Sequence, residues 1–242
     1  MSVPAYLGVA AVVAVAASVQ LAAGFGFGLA AVPLLAVVLD PHDAVVVALG
    51  LATFTNGYQA WTGRQHTDRA VVSRLLTGAL VGLPLGLLVF VGVDDQVLGI
   101  VIGAVVLMAV VVIAAGLDLR HAGPALDVGG GLLSGAMTMS AGVNGPPLVF
   151  VLQARHFPPD RFRSTITTVF ATLDVISVVV FAAIGDLRAS VLLAIVVALP
   201  GLALGAVVGI AMRRHLDAVR FRRLVLVLLT VAGISAVTAA IV

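Results

Sequence analysis

Residues 3–39 contain no charged side chain, and a second uncharged run covers residues 128–154. Six further apolar runs, each near the ~20 residues that a helix needs to cross a bilayer, are spaced along the chain. They lie at 44–61, 75–93, 97–117, 164–185, 189–212 and 224–242. Lipid offers the backbone no hydrogen-bond partner, so such runs must form helices or closed barrels, and barrel strands would alternate in polarity. We therefore predict an all-α integral membrane protein.

Composition supports this prediction and limits the kinds of binding partner to expect. The chain is 62% hydrophobic and only 10% charged, whereas roughly 25% charge is usual for a soluble domain. The net charge of +2 is too small to indicate nucleic acid as a partner, so we expect none and assign the arginines to membrane topology. The chain has no cysteine, which excludes thiol catalysis and iron–sulfur ligation.

Glycine-rich breaks interrupt both uncharged runs. Gly24-Phe25-Gly26-Phe27-Gly28 divides the first, and Ser140-Ala141-Gly142-Val143-Asn144-Gly145-Pro146-Pro147 divides the second. Continuous helix over 128–154 would span roughly 40 Å at 1.5 Å per residue, whereas two full crossings need roughly 60 Å. Each run is therefore either one broken helix or a re-entrant hairpin, and the sequence leaves that choice open.

The chain divides into two similar halves, 1–120 and 121–242, each a broken segment followed by three spanning helices. Pro33 aligns with Pro147, and residues 79–86 align with residues 198–205. Such weak internal similarity is typical of transporter repeats. We treat the halves as two membrane repeats of one integral domain.

The distribution of arginines predicts that the repeats are inverted. If each broken segment leaves and returns on one membrane face, only Arg188 lies on the opposite side from twelve other arginines, which is the asymmetry that the positive-inside rule requires. Those twelve are Arg64, Arg69, Arg74, Arg120, Arg155, Arg161, Arg163, Arg213, Arg214, Arg220, Arg222 and Arg223. Both chain termini are then expected outside the cytoplasm.

Paired breaks at matching positions of two halves indicate a transport site. Pro33 and Pro147 suit the first turn of a helix that restarts after a break, because proline lacks the N–H that would be unmatched there. Helix N-termini carry partial positive charge, so two of them meeting near the membrane centre could bind an anion. The alternative is that the glycines only permit tight packing or a kink.

Residues 24–33 and 140–147, at the same place in two halves, resemble the TauE/SafE sulfite exporter family, also called the toluene-sulfonate uptake permeases. The resemblance covers essentially the whole chain, although Val143-Asn144 stands where the family is usually glycine-rich. It implies secondary transport of a small anion, typically sulfite or an organosulfonate, in the cell membrane, the inner membrane of a bacterium. An anion channel, or a transporter of a different small organic anion, is the alternative.

The candidate substrate-binding residues are the polar and small residues at the breaks and in the matching spans. They are Gly24, Gly26, Phe27, Gly28, Pro33, Thr53, Asn56, Ser140, Gly142, Asn144, Gly145 and Pro147. Asp174 stands alone as an acid well inside a simple span, and such a residue is a functional candidate by default, here for carrying a coupling proton. Its alternative role is a structural bond to Thr172 or Ser177.

Other functions find less support. An enzyme would need a nucleophile with a base or a metal cluster, and neither pattern occurs, so we expect no catalytic residue. The five histidines show no ligand spacing, and we expect no metal and no cofactor. The partners are then the bilayer and a small anion, and the sequence leaves open whether the chain forms a homodimer.

Overall fold

A computed structural model describes residues 3–23, 26–115, 123–153, 157–213 and 218–241. In these ranges the regular structure is helical. The helices are α1 (Val3–Ala23), α2 (Phe27–Leu35), α3 (Pro41–Gly63), α4 (Arg69–Gly92), α5 (Asp95–Ala115), α6 (Pro124–Ala141), α7 (Gly145–Gln153), α8 (Pro159–Ile184), α9 (Ala189–Arg213) and α10 (Ala218–Ile241), with a 3-10 turn at Arg64–His66.

Local sequence explains where several helices begin and end. Pro41, Pro124 and Pro159 open α3, α6 and α8, where a missing N–H costs no hydrogen bond. The Asp68 carboxylate caps α4 by accepting from the N–H groups of Ala70 and Val71. Gly185 ends α8 in the left-handed conformation, which only glycine adopts without strain.

In the described residues, each of the six predicted spans corresponds to one helix. In the described part of the chain, three of them are long and apolar enough to cross a membrane: Arg69–Gly92, Pro159–Ile184 and Ala189–Met212. Shorter apolar stretches cover Tyr6–Ala22, Asp95–Val111 and Leu226–Ile241. The prediction of an all-helical, membrane-inserted fold is confirmed at this level.

Both broken segments fold back on themselves. Gly8 of α1 lies beside Val38, which follows α2, so the chain returns towards its starting end after the break. In the second segment, Gly130 near the start of α6 lies beside Val151 near the end of α7. Of the two alternatives that the sequence left open, the structure adopts the hairpin in both halves.

Each long hairpin arm packs against a helix of the opposite half through small residues. Along α4, Gly78, Gly82 and Gly86 face the backbone carbonyls of Val128, Leu132 and Ala136 in α6. Along α9, Gly201, Gly205 and Gly209 face the carbonyls of Ala10, Ala14 and Ser18 in α1. In both pairs the residue numbers at the contacts increase in the same direction along the two helices, so the helices of each pair are parallel. Such close backbone contact is how helices associate in lipid.

The alignment of residues 79–86 with 198–205 pairs Gly86 with Gly205, but the contacts are displaced from it by about one turn. Counted from the ends of the long arms, Gly86 on Ala136 corresponds to Gly209 on Ser18. The remaining helices pair across the halves in antiparallel fashion. Gly103 of α5 lies beside Val237 of α10, and α3 crosses α8, with Gly63 beside Ser164 near one end of the pair. The α3–α8 pair is central, since it also contacts both broken segments.

One sequence prediction about the short helices is wrong. Pro147 lies in the first turn of α7, as expected, but Pro33 is the seventh residue of α2 and lies near its end. Helix α2 already restarts at Phe27, immediately after Gly26. Counted from the helix starts, the alignment of Pro33 with Pro147 is therefore displaced by about one turn.

Candidate substrate site

The two breaks lie against each other. A Cβ atom at Gly26 would lie 2.9 Å from Oδ1 of Asn144 and 3.7 Å from the backbone nitrogen of Gly145. Any side chain at Gly28 would overlap the carbonyl oxygen of Gly142. The glycines of the first break therefore leave the space that the backbone and the asparagine of the second break occupy.

The second break turns through a left-handed residue. Gly142 has a φ of 64°, and α6 is closed by its N–H, which donates to the Thr138 carbonyl, and by the N–H of Val143, which donates to the Met137 carbonyl. The Ser134 hydroxyl donates to the carbonyl oxygen of Asn144 at 2.8 Å, which ties the break back to α6. The backbone at Asn144 is thus held by its own hairpin.

A buried carboxylate joins the halves beside the breaks. Asp174 of α8 is fully buried. Its Oδ2 accepts from Nδ2 of Asn56 at 2.7 Å, and its Oδ1 accepts from Nδ2 of Asn144 at 3.0 Å. Asn56 comes from α3 of the first half and Asn144 from the break of the second. Bonds from charged or neutral donors to a buried acid are among the stronger polar contacts.

Gln20 extends this network into the first hairpin. Its Nε2 donates to Oδ1 of Asn56 at 2.9 Å, so the donors run in one direction, from Gln20 through Asn56 to Asp174. The Oε1 atom of Gln20 and the hydroxyl of Ser177, one turn from Asp174, are buried and have no partner among the described residues. Burial of a polar atom without a hydrogen bond is costly, and these two atoms have unused hydrogen-bonding capacity.

The two short helices begin at the meeting point but offer different donors. Helix α2 starts with Phe27 and Gly28, whose N–H groups belong to its first turn. Helix α7 starts with Gly145-Pro146-Pro147, and two of these three residues have no N–H to donate. An anion at this point would therefore find more backbone donors on α2 than on α7.

Several predicted residues do not join the network. The hydroxyls of Thr53 and Ser140 bond to the carbonyls of Leu49 and Ala136 in their own helices. Phe27 is fully buried among core side chains, and Pro33 lies towards the far end of α2. Gly24 lies outside the described residues. Asn56 and Asn144 both bond to Asp174, a contact that the sequence did not predict, and their roles in substrate binding and coupling stay predictions.

A second buried acid escaped the sequence reasoning. Asp127 in the first turn of α6 is fully buried, and its Oδ2 accepts from Nε of Arg74 in α4 at 2.7 Å. The sequence placed Arg74 in a loop and began the uncharged run just after Asp127. The available signal was a pair of opposite charges near the starts of α4 and α6, each followed by a series of glycines.

Ion pairs also close the two ends of the α3–α8 pair. Asp68, in the loop after α3, pairs with Arg161 near the start of α8. At the opposite end, Asp43 near the start of α3 pairs with Arg188 in the loop after α8. Within the described ranges, no group of three or more histidine or acidic side chains is placed to hold a metal ion.

Similarity to known proteins agrees with this geometry. The sequence family described as Sulfite exporter TauE/SafE matches residues 9–236, nearly the whole chain. The chain belongs to the TauE/SafE sulfite exporter family. A relative from Cupriavidus necator, described as a probable sulfite/organosulfonate exporter TauE, is 28% identical over 214 residues, covering 84% of this chain and 82% of that protein. No solved structure matches the chain.

Membership of the TauE/SafE family makes this chain a multi-pass membrane transporter and not a member of an enzyme family. The resemblance that residues 24–33 and 140–147 suggested is thereby confirmed. The family match includes both breaks, so the place where they meet lies inside the matched region.

Proposed function

We propose that this chain is a secondary transporter that moves sulfite or an organosulfonate through a site where the two breaks meet. The observation that carries the proposal is the buried network of Asp174, Asn56 and Asn144, which joins both halves at the breaks. The family and the C. necator relative supply the substrate class. The N–H groups at the start of α2 and the amides of Asn144 and Gln20 would be the donors to the oxyanion.

Asp174 is the proposed coupling group. An ionised Asp174 repels an anion bound nearby, by about 3 kcal/mol for charges about 5 Å apart at an effective dielectric of about 20. A proton on Asp174 removes this repulsion, so the anion and the proton favour each other's binding. We therefore expect sulfite to cross the membrane together with a proton, whether it enters or leaves.

We also infer that the two halves are inverted repeats in a bacterial inner membrane, with the arginine-rich end in the cytoplasm. The parallel packing of α1 with α9 and of α4 with α6 supports this, as does the position of Arg188 at the opposite end from Arg64, Arg69 and Arg161. Fusion of a reporter that is active only in the cytoplasm to Val242 should give no signal. A strong signal would contradict the inverted arrangement.

Flux in proteoliposomes tests the transport proposal. Purified protein should accumulate labelled sulfite or an aryl sulfonate in response to a pH gradient, and a panel including carboxylates should show lower uptake. Asp174→Asn should keep binding but lose the pH-driven accumulation. Thr172→Val is the matched control, because the Thr172 hydroxyl bonds only to the carbonyl of Thr168 in its own helix.

Two outcomes would separate the alternatives. Flux that equilibrates the anion without accumulation, whatever the pH gradient, would identify an anion channel. Unchanged coupling in Asp174→Asn would assign Asp174 a structural role. Asn144→Ala should weaken substrate binding about tenfold or more, since a hydrogen bond to a charged group contributes about 1.5–3 kcal/mol.

A further inference from the structure

A groove at the arginine-rich end lies apart from the breaks. It runs between α3, α4 and the first half of α8 and has a volume of about 760 Å³. The side chains that give it its character are Trp61, Arg64, Arg69, Ser73, Leu76 and Leu80. Neither the family nor the proposed transport cycle assigns it a role.

One end of the groove is basic. Arg64 and Arg69 both line it, and none of the lining residues is acidic. Two neighbouring depressions at the same end of the molecule both include Asp160, and one of them shares Arg69 with the groove. Nη1 of Arg64 donates to the Trp61 carbonyl at 2.8 Å, and its guanidinium lies 4.4 Å from the centre of the Trp61 ring, which orients this charge.

The rest of the groove is lined by apolar residues and four hydroxyl side chains, and it is open to the side. Its apolar floor is defined as Val72, Leu76 and Ala171, and Leu80, 52% exposed, continues it along α4. At Gly57, a Cβ atom would meet no other atom within 4 Å, so the groove has free space beside α3. Trp61 is 69% exposed at the basic end, as expected of a side chain at the level of the lipid head groups.

We propose that this groove binds one anionic phospholipid from the leaflet at the arginine-rich end of the molecule. Its phosphate contacts Arg64 and Arg69, and one acyl chain lies over Leu76 and Leu80. A soluble phosphate would use the arginines alone and would leave the apolar floor exposed. A phospholipid satisfies both parts of the groove, and basic side chains near the membrane surface favour anionic lipids. The second groove that faces α9, lined by Leu21, Phe54, Tyr58 and Leu199 among others, contains no charged residue.

Native mass spectrometry of the full chain, released from nanodiscs of equal phosphatidylglycerol and phosphatidylcholine, tests the site. The wild-type protein should retain one phosphatidylglycerol in preference to phosphatidylcholine. Arg69→Gln should lower that preference about fivefold. Gly57→Leu, which fills the groove beside α3, should remove the retained lipid of either kind.

Arg163→Gln is the matched control, because Arg163 lies at the same end but is not one of the residues that line the groove. It should leave lipid retention unchanged. An equal loss of preference in Arg163→Gln and Arg69→Gln would show that the preference depends on overall surface charge and not on this groove, and it would overturn the proposal. Retention unaffected by Gly57→Leu, or displacement of the lipid by glycerol phosphate alone, would overturn it as well.

Discussion

The first hairpin, α1–α2, and the second, α6–α7, have the same path but different chemistry where they meet. The first break contributes glycines, and its polar group comes from Gln20 on the long arm. The second break contributes Asn144 itself, fixed by Ser134. Because Asn144 fills the space in front of Gly26, one break must lack a side chain for the other to have one. The two breaks thus make unequal contributions at the point where they meet.

The long arms of the two hairpins, α1 and α6, are also attached to their partner helices by unequal contacts. Helix α6 is tied to α4 by the buried pair of Asp127 and Arg74 as well as by glycine contacts. Helix α1 is tied to α9 by glycine contacts and by the Ser18 hydroxyl, which donates to the Gly205 carbonyl at 3.1 Å. The second hairpin therefore has a charged anchor that the first lacks, which makes α1–α2 the arm with weaker polar attachment.

The largest effect is expected at the contact between the breaks. In Gly28→Ala, the new methyl group would overlap the Gly142 carbonyl, and a helix start would have to shift. The cost should be about 3 kcal/mol, the upper part of the range for overpacking. Thermal unfolding in detergent measures it, with Gly57→Ala as the control because that site is open. Equal stability of the two variants would show that the breaks do not touch.

The second-largest loss of stability is expected at the charged anchor of the second hairpin. Asp127→Ala removes a buried partner of Arg74, whose side chain is 34% exposed and can turn towards water. The expected loss is about 2 kcal/mol, below the 3–5 kcal/mol of a fully buried pair. The double variant with Arg74→Ala should lose less than the sum of the single variants. Additive losses in this cycle would show that the two residues act independently.

A smaller and pH-dependent effect is expected at Asp68. Partial burial alone would raise its pKa, but the N–H of Val71, the guanidinium of Arg161 and the N–H of Ala70 together hold the pKa below the usual value. The ionised form therefore stabilises the fold at pH above the usual carboxyl pKa, and this contribution is lost as the pH falls through the lowered folded value.

Asp68→Asn keeps a good helix cap but removes the charge. Its unfolding free energy should fall by less than about 1 kcal/mol at neutral pH, as expected for an exposed ion pair. Urea unfolding at several pH values should show the difference from wild type vanishing in acid. A constant difference across pH would assign the effect to the cap geometry instead of the charge. Arg188→Gln, which removes the ion pair at the opposite end of the α3–α8 pair, is the variant for comparison.

The smallest effect is expected for the polar contact of the first hairpin. Ser18→Ala removes one hydroxyl that bonds both to its own helix and to α9. Its loss should cost about 0.6 kcal/mol, the average for such bonds in membranes. Thermal unfolding beside Asp127→Ala compares the two anchors directly. A larger loss for Ser18→Ala than for Asp127→Ala would reverse the proposed order of attachment.

The sequence by itself determined the all-helical membrane fold, the six spans and the location of both breaks. Long uncharged runs leave the backbone no choice but helix in lipid, and glycine with proline marks where helices stop. It also selected Asn56, Asn144 and Asp174, because polar residues are rare and costly in such runs. These conclusions depend on local chemistry, which a single sequence carries.

Only the tertiary structure decided which of these residues touch. The bond between Asn56 and Asp174 joins residues that are 118 positions apart, and the pairing of Arg74 with Asp127 joins two helix starts. Helix α2 begins at Phe27 and not at Pro33, since Gly26 and Gly28 must fit against Asn144 and Gly142. The physical reason is that packing between distant segments fixes helix starts and side-chain partners, and no local pattern contains that information.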